Sequence, residues 1–160
     1  MEAAQVMTRP QLRGEMLFNE PMSRHLSWRA GGNAKCYFTP ADIEDLSTLL
    51  ASLPDDEAIL WLGLGSNTLV RDGGFDGTVI ALQGIMNELE RLADDRVYAG
   101  AGVTASKRAR FCAKQDLVGA EFFAGIPGLV GGALAMNAGA FGGETWSHVV
   151  SVETIDRKGR

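Results

Sequence analysis

Ala58-Ile59-Leu60-Trp61-Leu62-Gly63-Leu64-Gly65-Ser66-Asn67 decides the fold: five apolar residues in a row, then a loop carrying two glycines. An unbroken apolar run of this length has the pattern of a strand covered on both faces, as in a parallel sheet. Upstream, Lys35-Cys36-Tyr37-Phe38 is a short β-prone run closed by Thr39-Pro40. Between the two runs, Ile43, Leu46, Leu49, Leu50 and Leu53 recur at helical spacing with Asp42, Glu44 and Asp45 directed outward. Thr39 is the expected cap of that helix, with Pro40 at its first position. Strand, helix, strand in this order implies a parallel crossover. Thr68 to Arg71 and Thr78 to Leu82 read as the next strands, with turn signals at Asp72-Gly73-Gly74 and Asp76-Gly77.

Beyond Gly84 the extended segments shorten: Ile85 to Leu92, then Arg96 to Ala101 after an Asp94-Asp95 turn. Thr104 caps a second helix, with Ala105, Ala109, Cys112 and Ala113 as a small-residue stripe. Lys107, Arg108, Arg110 and Lys114 are expected to face solvent. His148 to Asp156 reads as a strand and Arg157 to Arg160 as a turn. A terminal strand rich in valine would leave an unpaired edge, so the chain is expected to be a piece of something longer.

Composition narrows the function. Glycine makes up 20 of 160 residues, against a background of about 7%, so many backbone positions need a positive φ or a close approach. A net charge of −5 argues against an electrostatic nucleic-acid binder. It leaves room for a phosphate-bearing ligand held by backbone amides. Cys36 and Cys112 sit among apolar neighbours and read as core thiols, and with only His25 and His148 no zinc-ligand spacing exists. His25 reads as a surface or turn residue, His148 as a strand-start residue, and Trp28, Trp61 and Trp146 as packing, with Trp146 placed to border a ring system. Met1 to Glu20 has no apolar stretch of a secretory signal, and the expected compartment is the cytoplasm. The uncharged run from Phe122 to Gly143 is long enough for a membrane span, but its glycines, Pro127 and Asn137 favour a buried loop and a short helix.

Two loops could carry chemistry. Gly63, Leu64, Gly65, Ser66 and Asn67 begin like a dinucleotide fingerprint, yet Thr68 stands where the third glycine belongs, and a strand is expected next. Two readings stand for it: a tight turn between strands, or successive N–H groups approaching a pyrophosphate with Ser66 and Asn67 as neutral donors. The second loop is Gly125-Ile126-Pro127-Gly128-Leu129-Val130-Gly131-Gly132, leading into Ala133 to Gly143. It should open onto a short helix whose unpaired N–H groups attract an anion, with small residues that let a flat apolar ligand lie on the backbone. Neither loop contains Lys or Arg, and no nucleophile–base–orienter set is present.

At these loops the sequence resembles the UDP-N-acetylenolpyruvoylglucosamine reductases, flavoenzymes of peptidoglycan synthesis. The resemblance lies in Gly63 to Asn67 with Leu69 to Gly74, in Ala99-Gly100-Ala101-Gly102-Val103, and above all in Ala124 to Gly143. Trp28-Arg29-Ala30-Gly31-Gly32 looks like the family's amino-terminal signature; Leu26 replaces a more usual threonine. The resemblance implies an α+β, two-subdomain FAD-binding fold of the PCMH (vanillyl-alcohol-oxidase-like) type. Its expected parts are an extension over 1–18, an α/β lobe over 19–83 and a mixed, antiparallel lobe over 84–160.

In that picture Gly63 to Asn67 and Ile126, Pro127, Gly128, Val130, Gly131 and Gly132 cradle the pyrophosphate of FAD. Asn137, Gly139 and Ala140 lie near the flavin. The family uses NADPH to reduce FAD, and the flavin passes a hydride to the enolpyruvyl double bond of a UDP-sugar. The family's catalytic serine, arginine and glutamate lie downstream of the match, so no residue here is assigned to them. The resemblance thus implies the cofactor-binding part of a reductase, inactive alone. The alternative is a short flavin- or nucleotide-binding module completed in trans by a partner.

Overall fold

A computed structural model describes residues 12–160. The 1–18 extension therefore falls mostly outside the described residues, and its last four positions already belong to a strand. Eight strands and three helices follow in order: β1 (Glu15–Pro21), β2 (Asn33–Thr39), α1 (Ile43–Ser52), β3 (Ile59–Leu62), β4 (Phe75–Ala81), β5 (Leu89–Arg91), β6 (Val97–Ala99), α2 (Ala105–Lys114), α3 (Val130–Met136), β7 (Gly139–Ala140) and β8 (Gly143–Glu144). Short 3-10 turns lie at Met22–Arg24, Glu121–Gly125 and Thr145–His148.

The four-stranded sheet has the order β1-β2-β4-β3. The expected parallel crossover from β2 through α1 to β3 is present, but β4 inserts between them and pairs in parallel with both. The strand with continuous burial is thus β4, whose Gly77 to Ala81 are all buried, while β3 lies at the edge with Trp61 43% exposed. The remaining edge is β1, antiparallel to β2 and missed by the sequence reading. Its pattern breaks at Asn19, which takes a positive φ of 53°.

Alternation along the strands builds two cores on one sheet. Tyr37, Val79, Ala81 and Leu62 face Met22, Leu26 and Val70. Phe38 and Ile80 face Leu46, Leu49 and Leu50 of α1. Each of those leucines contributes roughly 1.5–3 kcal/mol by leaving water. A third core belongs to the following segment: Ala105, Ala109 and Cys112 of α2 pack on Phe122, Phe123, Ile126 and Ala133.

Several expectations are corrected. The cap of α1 is Asp42, whose carboxylate accepts from Asp45 N–H at 2.9 Å, so the helix starts after the Thr39-Pro40 pair and Ile43 is exposed. Asp45 points inward at 2% exposure because three backbone donors need it: Arg13 and Gly14 at 2.8 Å and Ala41 at 2.9 Å. Thr68 to Arg71 forms no strand, and Asp76-Gly77 lies inside β4 instead of in a turn. The Asp94-Asp95 turn is present, with φ of 57° and 56°, and it joins β5 to β6.

Thr104 caps α2 as expected, through Lys107 N–H at 3.2 Å. On that helix Ala113 is exposed, whereas Arg108 folds inward with its guanidinium 3.9 Å above the Phe123 ring. Burial pulls Arg108 below its ordinary value, and its Nη1 has no hydrogen-bond partner among the described residues. Residues 149–156 form no strand, since no described strand runs beside them. The tail returns to the first layer instead, with Ile155 against the α1 core and Arg157 donating to the Asp55 and Glu57 carbonyls at 3.1 and 2.9 Å. Cys36 and Cys112 are both buried. Among the described residues no helix is long and apolar enough to cross a membrane, and no group of three or more His, Cys, Asp or Glu is placed to hold a metal.

Burial works to raise the Asp45 pKa, but the N–H donors of Ala41, Arg13 and Gly14 outweigh it and hold the carboxylate below its usual range. Its stabilisation is therefore complete above the ordinary aspartate range and is lost as pH falls through the depressed value. Asp45→Ala is expected to lower stability by about 2–3 kcal/mol at neutral pH, and a series of urea titrations should show this difference shrinking in acid.

Candidate functional site

The register of the sheet places the first loop. Leu62 pairs with Ala81 at the carboxyl end of two parallel strands, the end where open parallel sheets bind ligands. Residues 63–67 leave β3 there. Gly65 has a φ of +64°, and a Cβ on it would collide with the His25 carbonyl and lie 2.9 Å from Leu26 Cα. Its own carbonyl accepts from Ser27 N–H at 3.0 Å. The loop is thus seated on the turn at 22–29. Among the described residues, the N–H groups of 64–67 donate to no backbone carbonyl. They form the kind of concave donor set that anions occupy.

The second loop meets the first. A Cβ on Gly63 would lie 3.2 Å from the Leu129 side chain, and one on Gly128 would have Ser66 Oγ as its nearest neighbour at 3.9 Å. Residues some sixty positions apart thereby form one surface. The third glycine motif holds it: Val130 and Gly131 donate to the carbonyls of Val103 (2.8 Å) and Ala101 (3.0 Å), while Ala105 donates to Gly128 (2.9 Å).

That clamp corrects the expectation for the start of α3. The N–H groups of Val130 and Gly131 are spent on protein carbonyls, Gly128 N–H turns back to Ile126, and Ala133 N–H bonds to Leu129. Gly132 N–H meets no backbone acceptor among the described residues, and a Cβ there would stand in open space. Among the described residues, N–H groups without a backbone acceptor therefore concentrate in the first loop. Ile126 and Val130 are buried core residues and Pro127 is exposed.

Asn137, Gly139 and Ala140 lie at the far end of α3, roughly 10 Å along its axis. Asn137 ends the helix in the left-handed region at φ 44°. Its amide donates to Glu144 at 3.1 Å and accepts from Trp146 N–H at 3.0 Å. Gly139 pairs with Glu144 and Ala140 with Gly143 in a two-residue hairpin. Trp146 is half exposed, with its ring nitrogen bonded to the Leu134 carbonyl at 3.0 Å. The three tryptophans are not core residues: Trp28 is 70% exposed and Trp61 also reaches solvent.

Charged side chains that the loops lack come from elsewhere. An open cavity of about 280 Å³ beside Gly63 and Leu64 is lined by Arg24, His25, Ser27, Arg29, Tyr37 and Gln83. His25 is a turn residue, as expected, but it is only partly exposed. Its Nε2 lies 2.9 Å from Glu20 Oε1 and its ring stacks on Tyr37 at 4.1 Å. Burial, with Glu20 and Glu15 nearby, raises the Tyr37 phenol. The basic character of this wall was visible in Arg24 and Arg29, but its approach to Gly63 depends on the seating of Gly65. His148 lies in the Thr145–His148 turn against Phe122, with ring centroids 5.1 Å apart, and not at a strand start.

Two glycine-rich loops meeting at the carboxyl edge of a parallel sheet, with amides of the first unbonded to backbone among the described residues and arginines beside it, have the layout of a nucleotide-cofactor binding unit. Residues 34–160 match the family described as FAD binding domain, and the chain belongs to that family. It is similar to the UDP-N-acetylenolpyruvoylglucosamine reductases of Legionella pneumophila (strain Corby; 54% identical over 91% of this chain and 47% of the relative) and Alkalilimnicola ehrlichii (58% over 91% and 49%). The crystal structure of the UDP-N-acetylenolpyruvylglucosamine reductase (MurB) from Thermus caldophilus superposes with a TM-score of 0.61 at 29% identity, covering 84% of this chain and 46% of that one. The chain thus spans about half the length of the relatives it matches, and its α+β architecture is that of this FAD-binding fold.

The contrast between two glycines tests the seating of the first loop. Gly65→Ala forces both a strained φ and a backbone collision and should lower the thermal midpoint by several degrees, whereas Gly132→Ala, in open space, should leave it unchanged or raised. Calorimetry on both variants checks this.

Proposed function

We propose that the chain is the FAD-binding portion of an NADPH-dependent reductase that converts the enolpyruvyl ether of UDP-N-acetylglucosamine to UDP-N-acetylmuramate for peptidoglycan, acting in the cytoplasm. The observation that carries this reading is the junction of the loops, with Gly63 on Leu129 and Ser66 opposite Gly128. The residues fit the cofactor: N–H groups of 64–67 that donate to no backbone carbonyl among the described residues, and glycines at 128 and 132 that leave the surface uncovered. Leu64, Gly65, Ser66 and Asn67 would hold the pyrophosphate, while Gly128, Gly131 and Gly132 keep the backbone low enough for the cofactor to approach. Bound FAD would supply hydride transfer.

The protein's own contribution here is binding, orientation and exclusion of water along this surface. Asn137, Gly139 and Ala140 would border the flavin by fixing the turn that follows α3. The acid–base groups that complete the reaction in the family have no counterpart assigned among these residues. The 160-residue chain is therefore expected to bind FAD without reducing the UDP-sugar unaided. Residues 19–83 and 84–160 would act as the two halves of the cofactor cradle.

Titrating the purified chain with FAD, followed by quenching of flavin fluorescence, should give saturable binding. Gly128→Val should weaken it at least tenfold, because a Cβ there already lies 3.9 Å from Ser66 Oγ and the added methyls fill the junction of the loops. Lys114→Ala, on the exposed face of α2, should bind like the parent. Equal behaviour of the two variants would sink the assignment. NADPH oxidation that depends on added UDP-sugar would overturn the inactivity of the isolated chain.

A further inference from the structure

We infer that Glu20 and His25 form a positioning pair that seats the first glycine loop, and through it sets the affinity of the cofactor surface. This rests on the reading of 63–67 as the pyrophosphate loop. Gly65 is fixed by main-chain atoms of residues 25–27: the His25 carbonyl and Leu26 Cα occupy the space of a Cβ, and Ser27 N–H holds the Gly65 carbonyl at 3.0 Å. The shape of that turn decides where the free N–H groups of 64–67 point.

The turn itself is short. It is a three-residue 3-10 segment, Met22–Arg24, with no side-chain cap, closed by the His25 and Leu26 N–H groups on the Met22 carbonyl at 2.9 and 3.2 Å. Met22 and Leu26 anchor it in the core, and its polar side-chain anchor is His25. Nε2 bonds to Glu20 Oε1 at 2.9 Å, and the ring lies on Tyr37 at 4.1 Å and 25°. Glu20 sits near the end of β1 at 9% exposure, and Arg24 Nη1 stands 3.5 Å from the same oxygen. A buried carboxylate held from two sides is a rigid reference point, and β1 is in turn fixed by six residue pairs to β2. The chain of contacts runs from sheet to Glu20, to His25, to its own carbonyl, to Gly65. The same ring lines the cavity beside Gly63 and Leu64, so the pair lies at the edge of the site and not behind it.

The design of the cluster lets the pair be tested without unfolding the protein. Removing the imidazole leaves Glu20 with Arg24, so the buried carboxylate keeps a cationic neighbour. Glutamine at 25 places an amide nitrogen near the position of Nε2 and preserves the bond to Glu20.

The experiment compares His25→Ala and His25→Gln in the full chain by FAD titration and by amide hydrogen exchange. His25→Ala should bind FAD about tenfold more weakly, the ratio expected for loss of one hydrogen bond to a charged group. His25→Gln should stay within threefold of the parent. Independently of FAD, exchange at Leu26 and Ser27, whose N–H groups bond to the Met22 and Gly65 carbonyls, should quicken about tenfold in His25→Ala and return toward parent rates in His25→Gln, while α2 exchanges as before. Parent-like exchange at Leu26 and Ser27 in His25→Ala overturns the inference, as does equal acceleration in both variants. If the parent binds no FAD, the cofactor reading fails, and the exchange measurement alone still decides the role of the pair.

Discussion

The insertion of β4 between β2 and β3 is the constraint on which the remaining structure depends. A crossover from β2 through α1 could have laid β3 directly against β2. Instead a gap is left, and the chain must pass beyond the carboxyl end of β3, loop around and return in parallel to fill it. Residues 63–74 exist to make that excursion. Their first five form the first glycine loop, Val70 closes the core over Tyr37 and Leu62, and Gly32 N–H bonds to the Arg71 carbonyl at 3.0 Å. The site is therefore a by-product of the strand order: it lies where a parallel sheet leaves strand ends open and where the chain has to turn.

The second half of the surface solves a different problem. A seven-residue helix rich in glycine has little intrinsic stability, yet α3 must hold Gly128 and Gly132 at a fixed place. Hydrogen bonds from its first residues to Ala101 and Val103, and from Ala105 back to Gly128, tie it to the segment that starts α2. Ala133 then packs beneath it with Ala105, Ala109 and Phe123. Small side chains are required throughout, because the backbones approach too closely for larger ones; Gly131 already stands so that a Cβ would lie 3.1 Å from that of Ala101. Stability comes from neighbours, and ligand access comes from missing side chains.

How much of this was legible in the sequence follows from which interactions are local. The helical period of Leu46, Leu49 and Leu50, the Thr104 cap and the Asp94-Asp95 turn are short-range signals, and each is present. Asp45 was misplaced because its partners, Arg13 and Gly14, are more than thirty residues away and no period announces them. The tail misled for a similar reason: valine-rich sequence specifies a strand only when a partner strand is alongside. Apolar continuity at 58–62 suggested a central strand, but centrality is a property of the sheet order, and the run at 78–81 holds that place. The glycine motifs named the loops that meet, although neither sequence segment contains the distance between them.

Charge is where sequence and structure together say more than either alone. The chain is acidic and its two loops carry no Lys or Arg, which by itself points to recognition by amide dipoles. The fold adds Arg24, His25 and Arg29 to the flank of Gly63 and Leu64. One of these, Arg24, is partly compensated by the buried Glu20. Cations supplied from a separate turn, and tempered by a carboxylate, attract an anion without making the loop itself repulsive to its own backbone donors or adhesive to every polyanion. Geometry adds a second restriction: in the proposed reading a phosphate would meet the N–H groups of 64–67, and the loop is held in place by the 22–29 turn through Gly65. On that reading affinity would be set one layer beneath the surface, by the groups that fix the turn.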